Sequence, residues 1–496
     1  MITILDQAIF FVIVVLVLIA GYLAYLWRRA PMNSMDEWGL GGRRFGTVVV
    51  WFLLGGDLYT AYTLVAVPGL TASSGTLGMF AITYGIMIYP IVYGTMPRLW
   101  TISKKRGYIT AADFVKDRFN SRLLALLIAL TGVVAELPYI ALQIVGIKYV
   151  LSALSIPVTA ALIIAFILVA GFTFISGLRG PALTAIIKDA IVWASVLVVV
   201  IYVPITLGGF HAMFSKAASI SLATVKLSPS LELGYVTLAL GSALALFLYP
   251  HGVAGTLGSK DVKTIKRNAS LLPLYNVLLL LVAILGIAAV VERGSLYPKS
   301  ISSLAFPDLV LKVFPPAFTS FVFAAVVVGS IVPASIMALA SANLLTRNLY
   351  LEYINKGAPQ QRQAFLSRIL VFVVIVAALA FSLVPAASGD IIYLQTMGGA
   401  FILQTLPAVY MALFTDKLNK YAVGLGWAAG MVLTVVMLFQ VHLVTSLYGP
   451  LGDIYIGIFA LVVNLGVVGL GQAIAFAMGQ AKPQGNIDNR ELVPQE

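Results

Sequence analysis

Apolar stretches of about 20 residues or more, each long enough to cross the hydrocarbon core of a bilayer, recur along this chain. They fall at 4–27, 46–70, 75–99, 121–152, 157–177, 182–208, 234–256, 268–292, 317–345, 368–387, 390–414, 422–445 and 453–479. Lipid offers no hydrogen bonds, so each such segment must satisfy its own backbone, and a helix does that within one segment. The sequence therefore predicts an all-α polytopic membrane protein of thirteen transmembrane helices, with 1–496 as a single transmembrane domain. Composition agrees, with 60% hydrophobic and 10% charged residues where soluble domains carry about 25% charged. The first apolar stretch lacks a basic leader and a small-residue cleavage site, so a retained anchor is expected rather than a signal peptide.

The net charge of +12 would suggest a nucleic-acid partner in a soluble protein. Here the basic residues sit in short loops and report orientation instead, and no nucleic-acid partner is expected. Arg28, Arg29, Arg43 and Arg44 lie between the first two spans, and Arg98, Lys104, Lys105, Arg106, Lys116, Arg118 and Arg122 cluster after the third. With the amino terminus outside, 25 of the 31 Lys and Arg face the cytoplasm, and only Lys148, Lys216, Lys226, Arg293, Lys299 and Lys312 face out. The carboxyl terminus is then cytoplasmic, and a plasma membrane location, the inner membrane of a prokaryote, is expected. The connections 209–233 and 293–316 are long enough for amphipathic or re-entrant pieces. The tail from 480 to 496 reads as polar and disordered.

Several chemistries drop out. The chain has no cysteine and only three scattered histidines, His211, His251 and His442, so neither a metal site nor a cofactor is expected. The string GLGG at 39–42 has no preceding strand and no GK[ST], and neither H-E-x-x-H nor G-x-S-x-G occurs. No enzyme is indicated.

The second span, FGTVVVWFLLGGDLYTAYTLVAVPGL (45–70), holds Gly55-Gly56-Asp57 at its middle. Adjacent glycines are poor helix formers, and a mid-membrane carboxylate is costly unless it meets water, an ion or a partner. A helix broken there frees backbone groups for a solute, as at the midplane sites of secondary transporters. The alternative is a glycine packing seam with Asp57 paired to a neighbouring helix. The seventh span, GYVTLALGSALALFLYPHGVAGTLG, carries Pro250-His251-Gly252 and should break near 249–252. The seventh span is five helices on from the second. Five is odd, so consecutive five-helix units, 46–208 and 234–414, would sit in opposite membrane orientations.

Seven further stretches carry a resemblance: DEWGLGGRRFG (36–46), GDLYTAYTLVAVPGL (56–70), GYITAADFVKDRFNSR (107–122), LPYIALQIVGIK (137–148), FISGLRGPALTAIIKDAIVW (174–193), YPHGVAGTLGSKD (249–261) and VPASIMALASANLLTRNLY (332–350). Together they resemble the sodium:solute symporter family, and within it the monocarboxylate permease branch. The resemblance implies a leucine-transporter-like fold: two inverted five-helix repeats plus one leading and two trailing helices, working by alternating access. It also implies a small carboxylate such as lactate, pyruvate or acetate as substrate. Sodium-coupled members carry a hydroxyl pair on the ninth span, in an Ala-x-x-Ser-Ser or Ala-x-x-Ser-Thr pattern. Counted back from Asn348-Leu349-Tyr350, the pattern falls on Gly329, Ser330, Ile331, Val332 and Pro333. Both hydroxyl positions are apolar, so the sodium site these residues would form with Gly55 and Leu58 is degenerate. A slip of register would bring Ser330 or Ser335 nearby.

A proton is then the expected coupling ion, carried by Asp57 or by Glu136, the other deep carboxylate; Glu136 could equally be a structural partner for a polar neighbour. Gly55, Gly56, Tyr59, Thr60, Tyr139, Gln143, Tyr249, His251 and Gln395 are candidate substrate-binding residues. His251 could donate to a substrate carboxylate or stay a bonded structural group, and the tyrosines and amides could equally be packing and interhelical glue. Lys188-Asp189 is expected to snorkel or to pair within the membrane. Two other functions stay open: a sodium-coupled symporter for another small solute such as an amino acid, and a transport-like solute sensor.

Overall fold

A computed structural model describes residues 4–27, 33–384, 391–480 and 482–494. Arg28, Arg29 and the adjoining edges of the expected spans 368–387 and 390–414 lie outside the described residues. The long helices, in chain order, are α1 (Ile4–Trp27), α2 (Thr47–Gly56), α3 (Val67–Ser74), α4 (Phe80–Arg106), α5 (Arg122–Ala153), α6 (Val158–Ser176), α7 (Arg179–Thr206), α8 (Glu232–Leu246), α9 (Pro250–Leu257), α10 (Val262–Tyr275), α11 (Val277–Arg293), α12 (Pro316–Leu344), α13 (Gln360–Ser382), α14 (Ile392–Ile402), α15 (Lys420–Gln440) and α16 (Ile456–Ala477). The long connections hold helices at Phe210–Ile220 and Ala305–Val313. One antiparallel pair of two-residue strands, Leu447–Tyr448 with Ile454–Tyr455, joins α15 to α16.

Among the described residues, 11 helical stretches are long and apolar enough to cross a membrane, against the thirteen expected. The difference lies in the second and fifth spans. The second is divided, leaving Thr47–Gly56 short by itself, and the fifth has a described apolar length of only Val158–Phe174.

Burial sorts the helices into a core and a ring. The apolar window of Pro316–Ile354 is 100% buried and that of Ile392–Leu413 is 89% buried, whereas Ile4–Leu23 is only 28% buried. Helix α12 is therefore central, packed on α5 and α7, while α1 lies at the rim. A side chain that is apolar all round suits both surroundings, because lipid and protein interior are equally dry. Small residues set the closest approaches, as where Gly146 of α5 meets Ala61 at the start of the helix after the first break.

Both expected breaks exist, each displaced by a residue or two. Gly55 and Gly56 complete α2, and the turn covers residues 57–60. Its amides are not left bare. Leu58 N donates to Gly55 O and Tyr59 N to Gly56 O, both at 3.1 Å, so the helix tightens to i→i−3 bonding before it resets. The following amides go to side chains: Tyr62 N to Thr60 Oγ1 at 2.9 Å and Ala61 N to Gln143 Oε1 at 3.1 Å. The second break covers 247–249, upstream of the expected 249–252. Pro250 begins α9 rather than interrupting it, since a first-turn proline lacks only an N–H that would be unpaired anyway. Proline also holds Tyr249 extended, at φ −57° and ψ 139°. A Cβ at Gly252 would lie 2.9 Å from Leu246 O, so a glycine lets α9 fold back against the end of α8.

The described residues of the tail, 480 and 482–494, are ordered where disorder was expected. Arg118 donates to Ala412 O at 2.9 Å and Ile487 O at 3.0 Å, and Arg106 to Asn486 Oδ1 at 2.7 Å. Glu491 pairs with Arg106 at 2.7 Å and Lys105 at 2.8 Å, while Leu492 is buried. The tail is polar because it complements a basic end of the bundle. Hydrogen bonds from Arg106 and then Lys105 hold the Glu491 carboxyl down at about 2, against about 4.3 when free. A depressed carboxyl stabilises docking above about pH 4.3, and that contribution fades as the pH falls toward 2. Glu491→Gln should remove it at neutral pH. Amide hydrogen exchange at 486–493 should then accelerate, measured by mass spectrometry, with the bundle unchanged; unaltered exchange would mean that the bonds of Arg118 and of Arg106 to Asn486 hold the tail without Glu491.

Candidate functional site

The two breaks face each other, and three side chains join them. Asp57 sits in the first break, His251 is the second residue of α9, and Glu136 comes from the middle of α5. His251 Nδ1 lies 2.7 Å from Glu136 Oε1, and His251 Nε2 lies 3.2 Å from Asp57 Oδ2. The same Glu136 oxygen accepts the His251 backbone N–H at 3.1 Å. That amide is one of the donors left open at the start of a helix, where the helix dipole also favours a negative group. Glu136 and His251 are buried, and Asp57 retains 11% of its side-chain exposure.

Charge counting sets what the cluster can do. Two carboxylates flanking an imidazolium that donates from both nitrogens carry one net negative charge, and one more proton makes the cluster neutral. Asp57 Oδ1 and Glu136 Oε2 accept no hydrogen bond among the described residues, so each carboxylate has an oxygen available for that proton.

Aromatic rings wall the cluster. Tyr139, one turn beyond Glu136 on α5, is 5.6 Å from the His251 ring, and Tyr249 is 5.3 Å from it. Tyr249 Oη donates to Gln395 O at 3.0 Å, so Gln395 holds this wall by its backbone while its Oε1 has no partner among the described residues. Between the breaks lies a cavity of about 10 Å³ lined by Leu54, Asp57, Leu58, Leu246, Phe247 and Gly252. That is room for about one water, so any larger solute requires the helices to part.

The other candidates divide by role. Thr60 and Gln143 satisfy the first break, and Gln143 Nε2 also donates to Thr60 Oγ1 at 3.3 Å. Tyr59 is buried against Tyr275, with ring centroids 4.6 Å apart, and donates to the Tyr275 carbonyl. Gly55 faces Leu272 and Tyr275, where a Cβ would come within 3.0–3.1 Å. A Cβ at Gly56 would collide with the Asp189 carboxylate.

The residues of the expected sodium site are only partly grouped. Gly329 of α12 reaches the first break, where its Cβ position is 3.3 Å from Tyr59 O. The Leu58 carbonyl accepts from Thr63 Oγ1 and the Gly55 carbonyl from Leu58 N. Val332 and Pro333 are buried on α12 and supply no side-chain oxygen. A register slip does not help, because Ser330 donates to Val326 O at 2.8 Å and Ser335 to Ile331 O at 2.7 Å. Lys188 and Asp189 are both 0% exposed and paired at 2.7 Å, which excludes snorkelling. Lys188 also reaches the first break, a role that sequence reasoning missed although the charged dipeptide in an apolar span was its signal.

Comparison with known proteins gives a consistent set. The profile of the sodium:solute symporter family matches residues 38–432. A monocarboxylate transport permease protein of Rhizobium johnstonii is 41% identical over 93% of this chain and 95% of its own length. An uncharacterized symporter of Bacillus subtilis is 37% identical over 92% and 90%. The sodium/proline symporter of Escherichia coli is 23% identical over 74% and 75%. Among solved structures, a Na+-coupled sialic acid symporter superposes with TM-score 0.75 at 15% identity, covering 96% of this chain and 98% of its own. The nucleobase-cation-symport-1 family transporter Mhp1 superposes with TM-score 0.52 at 13% identity, covering 93% and 98%. The fold is leucine-transporter-like.

Removing the imidazole leaves two buried carboxylates facing one another. His251→Ala should destabilise the protein by about 3–5 kcal/mol, the usual cost of breaking a buried pair. Adding Glu136→Gln should return part of that loss. Denaturation of the purified variants in detergent measures both, and an unchanged midpoint for His251→Ala would mean the carboxylates do not depend on the ring.

Proposed function

The chain belongs to the sodium:solute symporter family, so it is a membrane transporter and not an enzyme, and we propose that it carries small organic monocarboxylates such as lactate, pyruvate or acetate together with a proton. In this mechanism residues 46–208 and 234–414 are the two inverted five-helix repeats, which alternate access to a site between the breaks. The amino terminus faces out and the carboxyl terminus faces the cytoplasm of a prokaryotic cell.

The observation that carries this is the Asp57–His251–Glu136 chain, whose spare proton site lies against the cavity between the two broken helices. A substrate anion entering that cavity meets one net negative charge when the cluster is unloaded and none when it is loaded. Two like charges 4 Å apart at an effective dielectric of about 20 repel by about 4 kcal/mol. That is roughly three powers of ten in anion affinity, ample to tie anion binding to proton loading. The neutral, loaded cluster is also the form that a closed low-dielectric space tolerates. Tyr139, Tyr249 and the Gln395 amide are the donors available to the substrate once the helices part, with the backbone at Gly55, Gly56, Tyr59 and Thr60 beside them. The name of the 41% identical relative supports a monocarboxylate. A sodium-driven cycle for another solute is the second reading, favoured by the names of the proline and pantothenate symporters among the more distant relatives.

Reconstitution decides between them. Uptake of labelled lactate or pyruvate into proteoliposomes should follow an inward pH gradient and ignore a sodium gradient; strict sodium dependence at fixed pH would refute proton coupling, and absent counterflow would point to a sensor. Asp57→Asn should abolish pH-driven accumulation while preserving exchange. Glu136→Gln is the control. If Asp57→Asn still concentrates substrate and Glu136→Gln does not, the proton belongs to Glu136.

A further inference from the structure

The first helix break holds a cation that the chain itself supplies. Lys188, on α7, sends its ammonium into the turn after α2, where Nζ donates to Gly56 O at 2.5 Å and lies 3.3 Å from Tyr59 O. Its third neighbour is Asp189 Oδ1 at 2.7 Å. An ammonium has three N–H donors, and here they meet three oxygens: two backbone carbonyls of the break, Gly56 O also accepting Tyr59 N, and one carboxylate. Neither side chain has any exposure, so solvent contributes nothing to holding the charge. The Asp189 carboxylate is pressed so close to Gly56 that no side chain could stand there. Gly329 of the central helix α12 closes the far side of the Tyr59 carbonyl.

Two carbonyls and a carboxylate around one positive charge are also the donor chemistry that a small monovalent metal ion takes. The hydroxyls that could complete a sodium shell are missing, since Val332 and Pro333 are apolar and Ser330 and Ser335 are bound to their own helix. With Lys188 in place these residues offer sodium only an incomplete shell, whereas the three N–H donors of a primary ammonium are all met.

We propose that Lys188 is a tethered cation occupying a latent monovalent-cation site made by Gly56 O, Tyr59 O and Asp189, and that this lysine makes the first break independent of sodium. The ammonium holds the break in shape at all times, where a soluble ion would bind and leave. The inference deepens the proton-driven reading above as to the coupling ion, but its test detects cation binding in the absence of substrate, so either can fail without the other.

Removing the side chain should unmask the site. The thermal unfolding of purified wild type in detergent should be the same in choline, sodium, lithium and methylammonium chloride at equal ionic strength. Lys188→Ala should unfold at a lower temperature in choline and recover by about 2 °C or more, saturably, with sodium or methylammonium, as expected for ligands that bind only the folded state. Adding Asp189→Asn should abolish that recovery. Wild type stabilised by sodium in an Asp189-dependent way would overturn the proposal, as would Lys188→Ala that folds and responds to no cation. Recovery of Lys188→Ala only when it is purified with sodium or methylammonium is itself the expected result. If it is recovered under no condition, Lys188→Gln, which keeps an amide near the carbonyls without charge, is tested instead. That variant should gain the sodium response, and insensitivity equal to wild type would overturn the proposal.

Discussion

Glu136 Oε1 accepts twice from one residue, from the His251 backbone amide at 3.1 Å and from its ring at 2.7 Å. The first bond fastens α5 to the start of α9, and the second orients the imidazole so that its other nitrogen meets Asp57. Helix α5 thereby becomes the rigid support on which both breaks are aligned, for Gln143, farther along the same helix, satisfies the amide of Ala61 after the first break. Without Glu136 the break at 247–249 would have an open amide and Asp57 an unpositioned partner. In a dry interior each unsatisfied group costs several kcal/mol, so the interaction is structural before it is anything else.

The two breaks solve the same problem differently. At the first, glycines end the helix and the backbone tightens to i→i−3 bonds; the amides of Ala61 and Tyr62 go to side chains, and the Gly56 and Tyr59 carbonyls meet the Lys188 ammonium. At the second, proline restarts the helix and releases an amide, which meets a carboxylate. The Lys188–Asp189 pair and the Asp57–His251–Glu136 cluster are therefore close neighbours, since Lys188 bonds to Gly56, the residue next to Asp57.

Such an arrangement suits a protein that must move charge without leaving it bare. The ion pair on α7 is neutral in itself, while the imidazole cluster has a spare proton site and an edge on a cavity. A cavity of about 10 Å³ is closed to any solute larger than about one water, so transport requires α2, α8 and their continuations to move relative to α5.

The spans and both breaks were legible in the sequence because hydropathy and the backbone habits of Gly55, Gly56 and Pro250 are local properties. The same holds for Asp57, Glu136 and His251 taken singly, since an ionisable group in an apolar run stands out wherever it falls. Break edges were not legible to the residue. Whether Pro250 interrupts a helix or starts one depends on the Glu136 carboxylate waiting for the next amide. The pairing of Glu136 with His251, 115 residues apart, and the reach of Lys188 to Gly56, 132 residues away, came only from the packing of α5 and α7 against the breaks. The tail misled for a related reason, because its polarity complements Arg106 and Arg118 rather than water. Sequence determines where a chain must lie in the membrane and where its helices must yield, since both follow from the solvation of each residue and its neighbours. Which charge meets which was decided by tertiary structure, because a buried ion is stabilised by oxygens and protons that come from elsewhere in the chain.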